Sequence, residues 1–345
     1  MTTPNTDTEI DADGTTVGHE AEPPQPGDDK MAKELKNVLT LGKSGILPTK
    51  ASALIYKKAA DDSVILKAAG TTPMAMSGNQ FITPVGEVVA GVVGEGGMKP
   101  TANVGSTAKS VKPIKVATII PWSKEHRIAD EYGVTQHFID EAAKAIRRAI
   151  DVAIIHGKDG LTGNTIPGVE YLTQSKNKIQ LGTASVKDGG LTADILDGYD
   201  KVVENDFDFD AFIAAPQVRT KLGRAFDANG RPLYDNVNLA DSGDSSILGL
   251  PTYFGQTVAG RYGAVADTGV RMIGGNFQDN LRFGFVDGIS YYRSEDASIT
   301  DSDGNQISLF VHNLEAIRVE AIFGWIIGDV DGFAVYTDKP AGSAA

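Results

Sequence analysis

Residues 81–122 read FITPVGEVVAGVVGEGGMKPTANVGSTAKSVKPIKVATIIPW. Two strand-forming runs, Val85–Val93 and Val111–Ile120, flank a glycine-rich centre, Glu95–Gly96–Gly97–Met98–Lys99–Pro100. β-branched runs bounded by glycine and proline form strands, so the segment reads as a long hairpin with a flexible tip. Its small residues give it little core of its own, and a lone two-stranded hairpin is marginal in water. It needs a surface to lie on. The expected surface is a neighbouring molecule, met through backbone pairing and through the charges of Glu87, Glu95, Lys99, Lys109, Lys112 and Lys115.

Downstream, Val134, Phe138, Ala142, Ala145, Ile146, Ala149, Ile150, Ala153 and Ile154 recur at three- and four-residue spacing, the mark of a helix with one apolar face. Gly157 is placed to end it. Some 23 residues at about 1.5 Å each make a spine of roughly 35 Å. Asp140 with Lys144, and Arg147 with Asp151, are expected as surface pairs one turn apart. Residues 190–305 read as a mixed α/β lobe. In it, Thr192 caps a helix whose inward face is Ile195, Leu196, Tyr199, Val202 and Val203. Phe209–Ala215 follows as a strand, Pro216 opens a short helix, and Leu281–Phe285 alternates as a strand. Asp227–Gly230 and Asp301–Gly304 read as turns. From 306 to 338 the chain is extended again, with Ile317, Val319, Ala321, Phe323, Trp325 and Ile327 on one side, and Asp329–Gly332 turning it into Phe333–Tyr336. Upstream, residues 31–80 carry scattered apolar groups broken by Gly42, Gly45 and Pro48, which suits an extended arm, with Val64–Leu66 a short strand. Residues 1–30, with eight acidic side chains between Asp7 and Asp29, read as a disordered tail, and 339–345 as a second.

Composition narrows the function. Of 345 residues 41% are hydrophobic and 22% charged, enough to bury a sizeable core. The 39 glycines and 15 prolines favour an α+β or β-rich chain over a helical bundle. A net charge of −13, with no Lys/Arg run longer than two residues, argues against gripping nucleic acid by its phosphates. A protein of this charge that encloses DNA does so by geometry. Absence of cysteine removes disulfides, thiolate metal sites and cysteine nucleophiles, and fits folding in a reducing cytosol. No signal peptide or apolar run of membrane-spanning length is evident, so no membrane partner is expected.

The chemistry-bearing motifs are weak. Gly91–Gly97 lacks the following helix that a phosphate cradle requires. Leu41–Gly42–Lys43–Ser44 lacks the upstream glycine of a P-loop, since Asn37 stands there. Asp301–Asn305 has its glycine too early for a calcium loop, and His312 stands where the bidentate glutamate belongs. The five histidines show no metal-binding spacing, and Glu204, Asp206, Asp208 and Asp210 alternate with Phe207 and Phe209 as a solvated face does. No catalytic, cofactor or metal residues are therefore expected. A soluble α+β enzyme with a carboxylate site in 190–305 remains as a rival.

The order of the pieces carries a resemblance. An arm is followed by the hairpin with Glu95–Pro100 and by Pro121–Trp122–Ser123–Lys124–Glu125. Then come the spine helix ending at His156–Gly160, Ile166–Pro167–Gly168–Val169, Ala214–Ala215–Pro216, Asp227–Tyr234 and Leu248–Pro251. Over about residues 50–338 this resembles the major capsid proteins of tailed bacteriophages, whose fold is called HK97-like. The resemblance implies an N-terminal arm (31–80), an extended loop (81–122) and a peripheral domain holding the spine helix (123–169) and return strands (306–338). It also implies an axial domain (170–305). It implies self-assembly into hexamers and pentamers of an icosahedral head around double-stranded DNA, with a separate scaffolding protein, a portal and a decoration protein as candidate partners. Assembly is then expected in the host cytoplasm and residence in the virion. Some relatives weld their shells through lysine–asparagine bonds; Lys99 and Lys109 lie where such a lysine would sit, but no partner residues can be placed and cross-linking is not expected. An encapsulin-like nanocompartment is the alternative that keeps the fold.

Overall fold

The computed structural model describes residues 63–85, 92–99, 101, 105–125, 134–226, 230–234, 245–300 and 304–338. The acidic tail (1–30), the first part of the arm (31–62), Glu87, Asp227–Asn229, Asp301–Asp303 and the C-terminal tail (339–345) lie outside these residues.

Ser63 opens helix α1 (Val64–Ala68): its Oγ accepts from the Leu66 N–H at 3.1 Å and donates to the Asp151 carboxylate. The strand expected at Val64–Leu66 is thus a helical turn. Asp151 accepts from the N–H groups of Val64 and Ile65 at 3.1 and 3.4 Å, and this tertiary contact overrides the local preference of a Val-Ile pair. Val64, Ile65 and Ala68 are buried, so this end of the arm belongs to the core. A short strand β1 (Gly70–Thr71) leads to β2 (Asn79–Val85), which pairs antiparallel with β3 (Gly105–Val111) from Asn79 opposite Val111 to Val85 opposite Gly105. The returning arm of the hairpin is not one strand, as its sequence suggests. It breaks at Lys112–Pro113, where proline has no N–H to give a ladder, and β4 (Ile114–Ser123) pairs with residues 314–323 instead.

Helix α2 (Val134–His156) has the expected 23 residues. Ala142, Ile146, Ile150, Ala153 and Ile154 are buried as the spacing requires. So are Asp151, Val152, Ile155 and His156, because the last two turns are enclosed on every side. The surface pair of Arg147 with Asp151 is therefore corrected: the Asp151 carboxylate faces inward. Lys144 pairs with Glu141 at 3.0 Å. Gly157 ends the helix at φ +63°, its N–H bonded to Ala153 O, and a Cβ there would lie 2.2 Å from the Tyr171 ring. Both constraints exclude other residues. Gly157→Ala is expected to cost about 1–3 kcal/mol, read as a lower midpoint in urea unfolding with an unchanged slope.

Beyond it come β5 (Lys178–Leu181), α3 (Leu191–Val203), β6 (Ala211–Ala214), α4 (Gln217–Leu222), β7 (Ser245–Ile247), β8 (Leu250–Phe254) and β9 (Val270–Gly275). Then follow β10 (Leu281–Ser294), β11 (Ser298–Thr300), β12 (Gln306–Ser308), β13 (Leu314–Ile327) and β14 (Phe333–Asp338). A six-stranded sheet runs β5-β14-β9-β6-β8-β7 and a four-stranded one runs β1-β10-β13-β4. Sheet membership differs from sequence order: β14, expected with the return strands, joins the six-stranded sheet, and β10, expected in the 170–305 lobe, pairs along β13. Sequence neighbours could not reveal this exchange, since both pairings are long-range.

Gly190, not Thr192, stands at the N-cap of α3, and the Thr192 hydroxyl instead meets Tyr234 OH at 2.9 Å. The inward face of α3 is Asp194, Ile195, Gly198 and Val202; Leu196, Tyr199 and Val203 face outward. Gly198 permits this packing, because a Cβ would sit 2.2 Å from Tyr336 OH, which donates to Ile195 O. The β13 stripe from Ile317 to Ile327 is buried throughout, packed with α1, α2 and β9 in one cluster. α3 covers a second cluster on the six-stranded sheet.

A candidate assembly surface at the hairpin

The hairpin is anchored at its foot. Lys109 on β3 reaches across to Glu170, with Nζ 3.0 and 3.2 Å from the two carboxylate oxygens, and donates also to Ile327 O at 3.0 Å and Gly328 O at 2.8 Å. Four acceptors on two separate segments fix the orientation of β3 relative to the end of β13. Lys115 on β4 pairs with Glu320 at 2.8 Å, and that hydrogen-bonded ammonium holds the Glu320 carboxyl below its usual range. These two lysines, expected to meet a neighbour, have partners within their own chain. Lys112, between them at the strand break, is exposed.

Beside the foot lies an open groove of about 630 Å³, lined by Val111, Pro113, Ile114, Ile166, Val169 and Trp325 among others. Its wall is held by Trp325 Nε1 donating to Glu170 O at 2.8 Å. Lys112 and Glu170 line it too, one of each sign. At the other end of the hairpin, Gly97 N–H donates to Gly94 O at 2.9 Å across a turn with Gly96 at φ +79°. Glu95 and Lys99 are exposed there. Val92 and Met98 are 107% and 97% exposed, so their own chain covers neither. The strand β3 is thus held by its own chain at Lys109, while in the segment between the two strands Val92 and Met98 are left uncovered.

Sequence reasoning missed a tightly held buried acid, Asp151. Asp151 is fully buried and accepts from Ser63 Oγ, Val64 N–H, Ile65 N–H and Thr257 Oγ1, and burial pushes its carboxyl up to about 6. Five residues on, His156 Nε2 lies 3.2 and 3.1 Å from the carbonyls of Thr257 and Val258, and burial lowers its pKa to about 4. Together they tie α2 to α1 and to the turn at Gln256–Ala259. The signal was available: Ile150–Asp151–Val152–Ala153–Ile154–Ile155 encloses one acid in apolar residues. In the acid cluster, Glu204, Asp206 and Asp208 are exposed, while Asp210 accepts from the N–H groups of Phe277 and Gln278. Among the described residues no group of three His, Asp or Glu could hold a metal, and Gly94–Gly97 leads into no helix.

The model of the phage capsid family matches residues 44–338. The chain belongs to the phage capsid family. The probable major capsid protein gp17 of Mycobacterium phage L5 is 28% identical over 308 residues, 84% of this chain and 88% of that protein. Its counterpart in Mycobacterium phage D29 is 26% identical over 294 residues, 83% and 88% respectively. Among solved structures, a chain of Gordonia phage Cozz superposes with a TM-score of 0.71 at 29% identity, covering 85% of this chain and 92% of that one. A chain of Mycobacterium phage Ogopogo gives 0.69 at 24%, covering 86% and 100%. The fold is HK97-like and of class α+β. This is a phage major capsid protein of the virion, structural in role, and the rival of an enzyme with a site in 190–305 is set aside on the family's nature.

Proposed function

We propose that copies of this chain associate into hexamers and pentamers and close an icosahedral head around double-stranded DNA. The observation that carries this is the presented hairpin: its foot is tied by Lys109 to Glu170, Ile327 and Gly328, and its tip leaves Val92 and Met98 bare. Contact with a neighbour runs through Glu95, Lys99 and Lys112, with Glu87 as a further candidate; Lys109 and Lys115 serve it by holding the hairpin in place. Accurate closure favours contacts of about −4 to −8 kcal/mol each, so that misplaced subunits can leave. Strength comes from many such contacts and closed symmetry. The net charge of −13 supports a container that confines DNA by its walls. A separate scaffolding protein, a portal and a decoration protein complete the partners, with assembly in the host cytoplasm.

Negative-stain microscopy of the protein, expressed alone and with its phage's other head proteins, tests this. Closed particles of uniform size that hold DNA when filled are expected. An enzyme cargo in place of DNA would favour a nanocompartment, and a monomer at high concentration under every condition would remove the proposal.

A further inference from the structure

α3 turns an apolar stripe to water. Leu196, Tyr199 and Val203, at spacings of three and four residues, lie along one side of the helix and are 44%, 38% and 44% exposed. Asp197, Asp200 and Glu204 each follow a stripe residue by one position, so they run as an acidic row down one flank of it. Asp206 and Asp208 beyond the helix are exposed as well, and Lys201 is the one base between Leu196 and Asp208. No salt bridge joins these five acids to a base among the described residues. The helix is firmly set beneath its outer face. Buried Asp194 accepts from the N–H groups of Gly182, Thr183 and Ala184 at 2.6, 3.3 and 3.1 Å, and Gly198 lies against Tyr336. The Phe209 ring, 5.2 Å from that of Tyr199, backs the stripe.

A stripe of that spacing is the ridge that fits the groove of a second helix, and the acidic row beside it selects a basic one. A second copy laid face to face would bring acid to acid, and copies of a chain of net charge −13 repel one another in any case. We propose that the outward face of α3 receives a basic amphipathic helix of a separate head-assembly protein. The apolar side of that helix lies on Leu196, Tyr199 and Val203, and its Lys or Arg row runs along Asp197, Asp200 and Glu204. This rests on the self-assembly reading above and gives its separate partner a chemistry and a place. Such a helix offsets the repulsion between copies as they gather. Three half-exposed side chains on about 20 Å of helix make a small contact, of the size that stays weak and reversible. Entering DNA, a denser polyanion, competes for the same basic row, so the partner leaves as the head fills.

The test uses a fluorescent peptide about five helical turns long, with leucine on one side and lysine on the other, and a twin with glutamate in place of lysine. Anisotropy with the unassembled full chain is expected to show binding of the basic peptide, weakening as salt rises, and none of its twin. Asp197→Lys, Asp200→Lys and Glu204→Lys together, all at exposed positions, are expected to reverse the preference. Leu196→Ser with Val203→Ser, the acids intact, is expected to weaken binding about tenfold. Co-expressed with its phage's other head proteins, the charge-reversed chain is expected to give several-fold fewer particles, while alone it associates as the parent does. Binding unchanged in either variant would overturn the proposal, in the serine pair because only diffuse attraction between opposite charges would remain. Protection of Tyr199 from hydroxyl radicals in particles of this protein alone would also overturn it. The face would then belong to a second copy, with its exposed Arg224 and Phe226, and self-assembly would stand. A chain that never associates under any condition would instead remove the reading on which the proposal rests.

Discussion

Excision of Val92–Lys99 is expected to abolish particles while leaving the subunit as stable as before. Among the described residues their hydrogen bonding is a turn bond, Gly97 N–H to Gly94 O, and most of their side-chain surface lies in water. Their removal should change folding stability by less than about 0.5 kcal/mol, the usual range for surface changes away from packed features. Assembly is affected on another scale. If the tip supplies one contact of about −4 kcal/mol per subunit, its loss weakens each association roughly a thousandfold, and the loss recurs at every subunit of a ring. Thermal unfolding and microscopy read the two effects separately. Particles in normal number from the excised protein would refute the docking role, and a large fall in Tm would mean that the tip packs on its own subunit.

The lesson of the sequence lies in which interactions are local. α2 could be bounded to the residue because its period, length and closing glycine are all encoded within 24 positions of one another, from Val134 to Gly157. The β13 stripe was equally plain, since every second side chain shares a face; that the opposite face is largely buried as well has no such local trace. The strand break at Pro113 was visible and was read through, because the Val and Ile residues around it outweighed one missing donor. Other features have no local trace. Lys109 and Glu170 lie 61 residues apart, and nothing near either announces the pair. The outward turn of Leu196, Tyr199 and Val203 follows from Gly198 meeting Tyr336, a contact between elements far apart in sequence. Among the expected contact residues, the sequence could nominate charges on the hairpin but could not separate Lys109 and Lys115, which have internal partners, from Lys112, which lies open on the groove.

Asp151→Ala is expected to be among the most damaging single substitutions in the chain, at about 3–5 kcal/mol, and Asp151→Asn among the mildest at a buried charge. Alanine strands four donors, from Ser63, Val64, Ile65 and Thr257, in a dry site, at about 1–3 kcal/mol for each group that finds no water. Asparagine can place its oxygen where Oδ2 now accepts from Val64 N–H and Thr257 Oγ1. Its amide then faces the Ser63 hydroxyl, which can turn to accept, and only the 3.4 Å bond from Ile65 is lost. About 1 kcal/mol at neutral pH is the expected cost. The pH dependence separates charge from shape. Asp151 titrates near 6 in the fold against 3.8 in the open chain, so between those values the folded state holds the extra proton. Stability from this group therefore falls as pH rises through the window. His156 runs the other way: its pKa is near 4 in the fold against 6.5 when unfolded, so its contribution is lost as pH falls. The two slopes oppose each other across pH 4–6, and replacing Asp151 by asparagine removes only one. Relative to the parent protein, Asp151→Asn should fare worse at pH 4 than at pH 7.5, by on the order of 3 kcal/mol. Urea unfolding of both proteins at the two pH values cancels every other titrating group in the difference. A difference that does not move with pH would show that Asp151 titrates as an ordinary carboxylate and that the join between α1 and α2 is wetter than the structure places it.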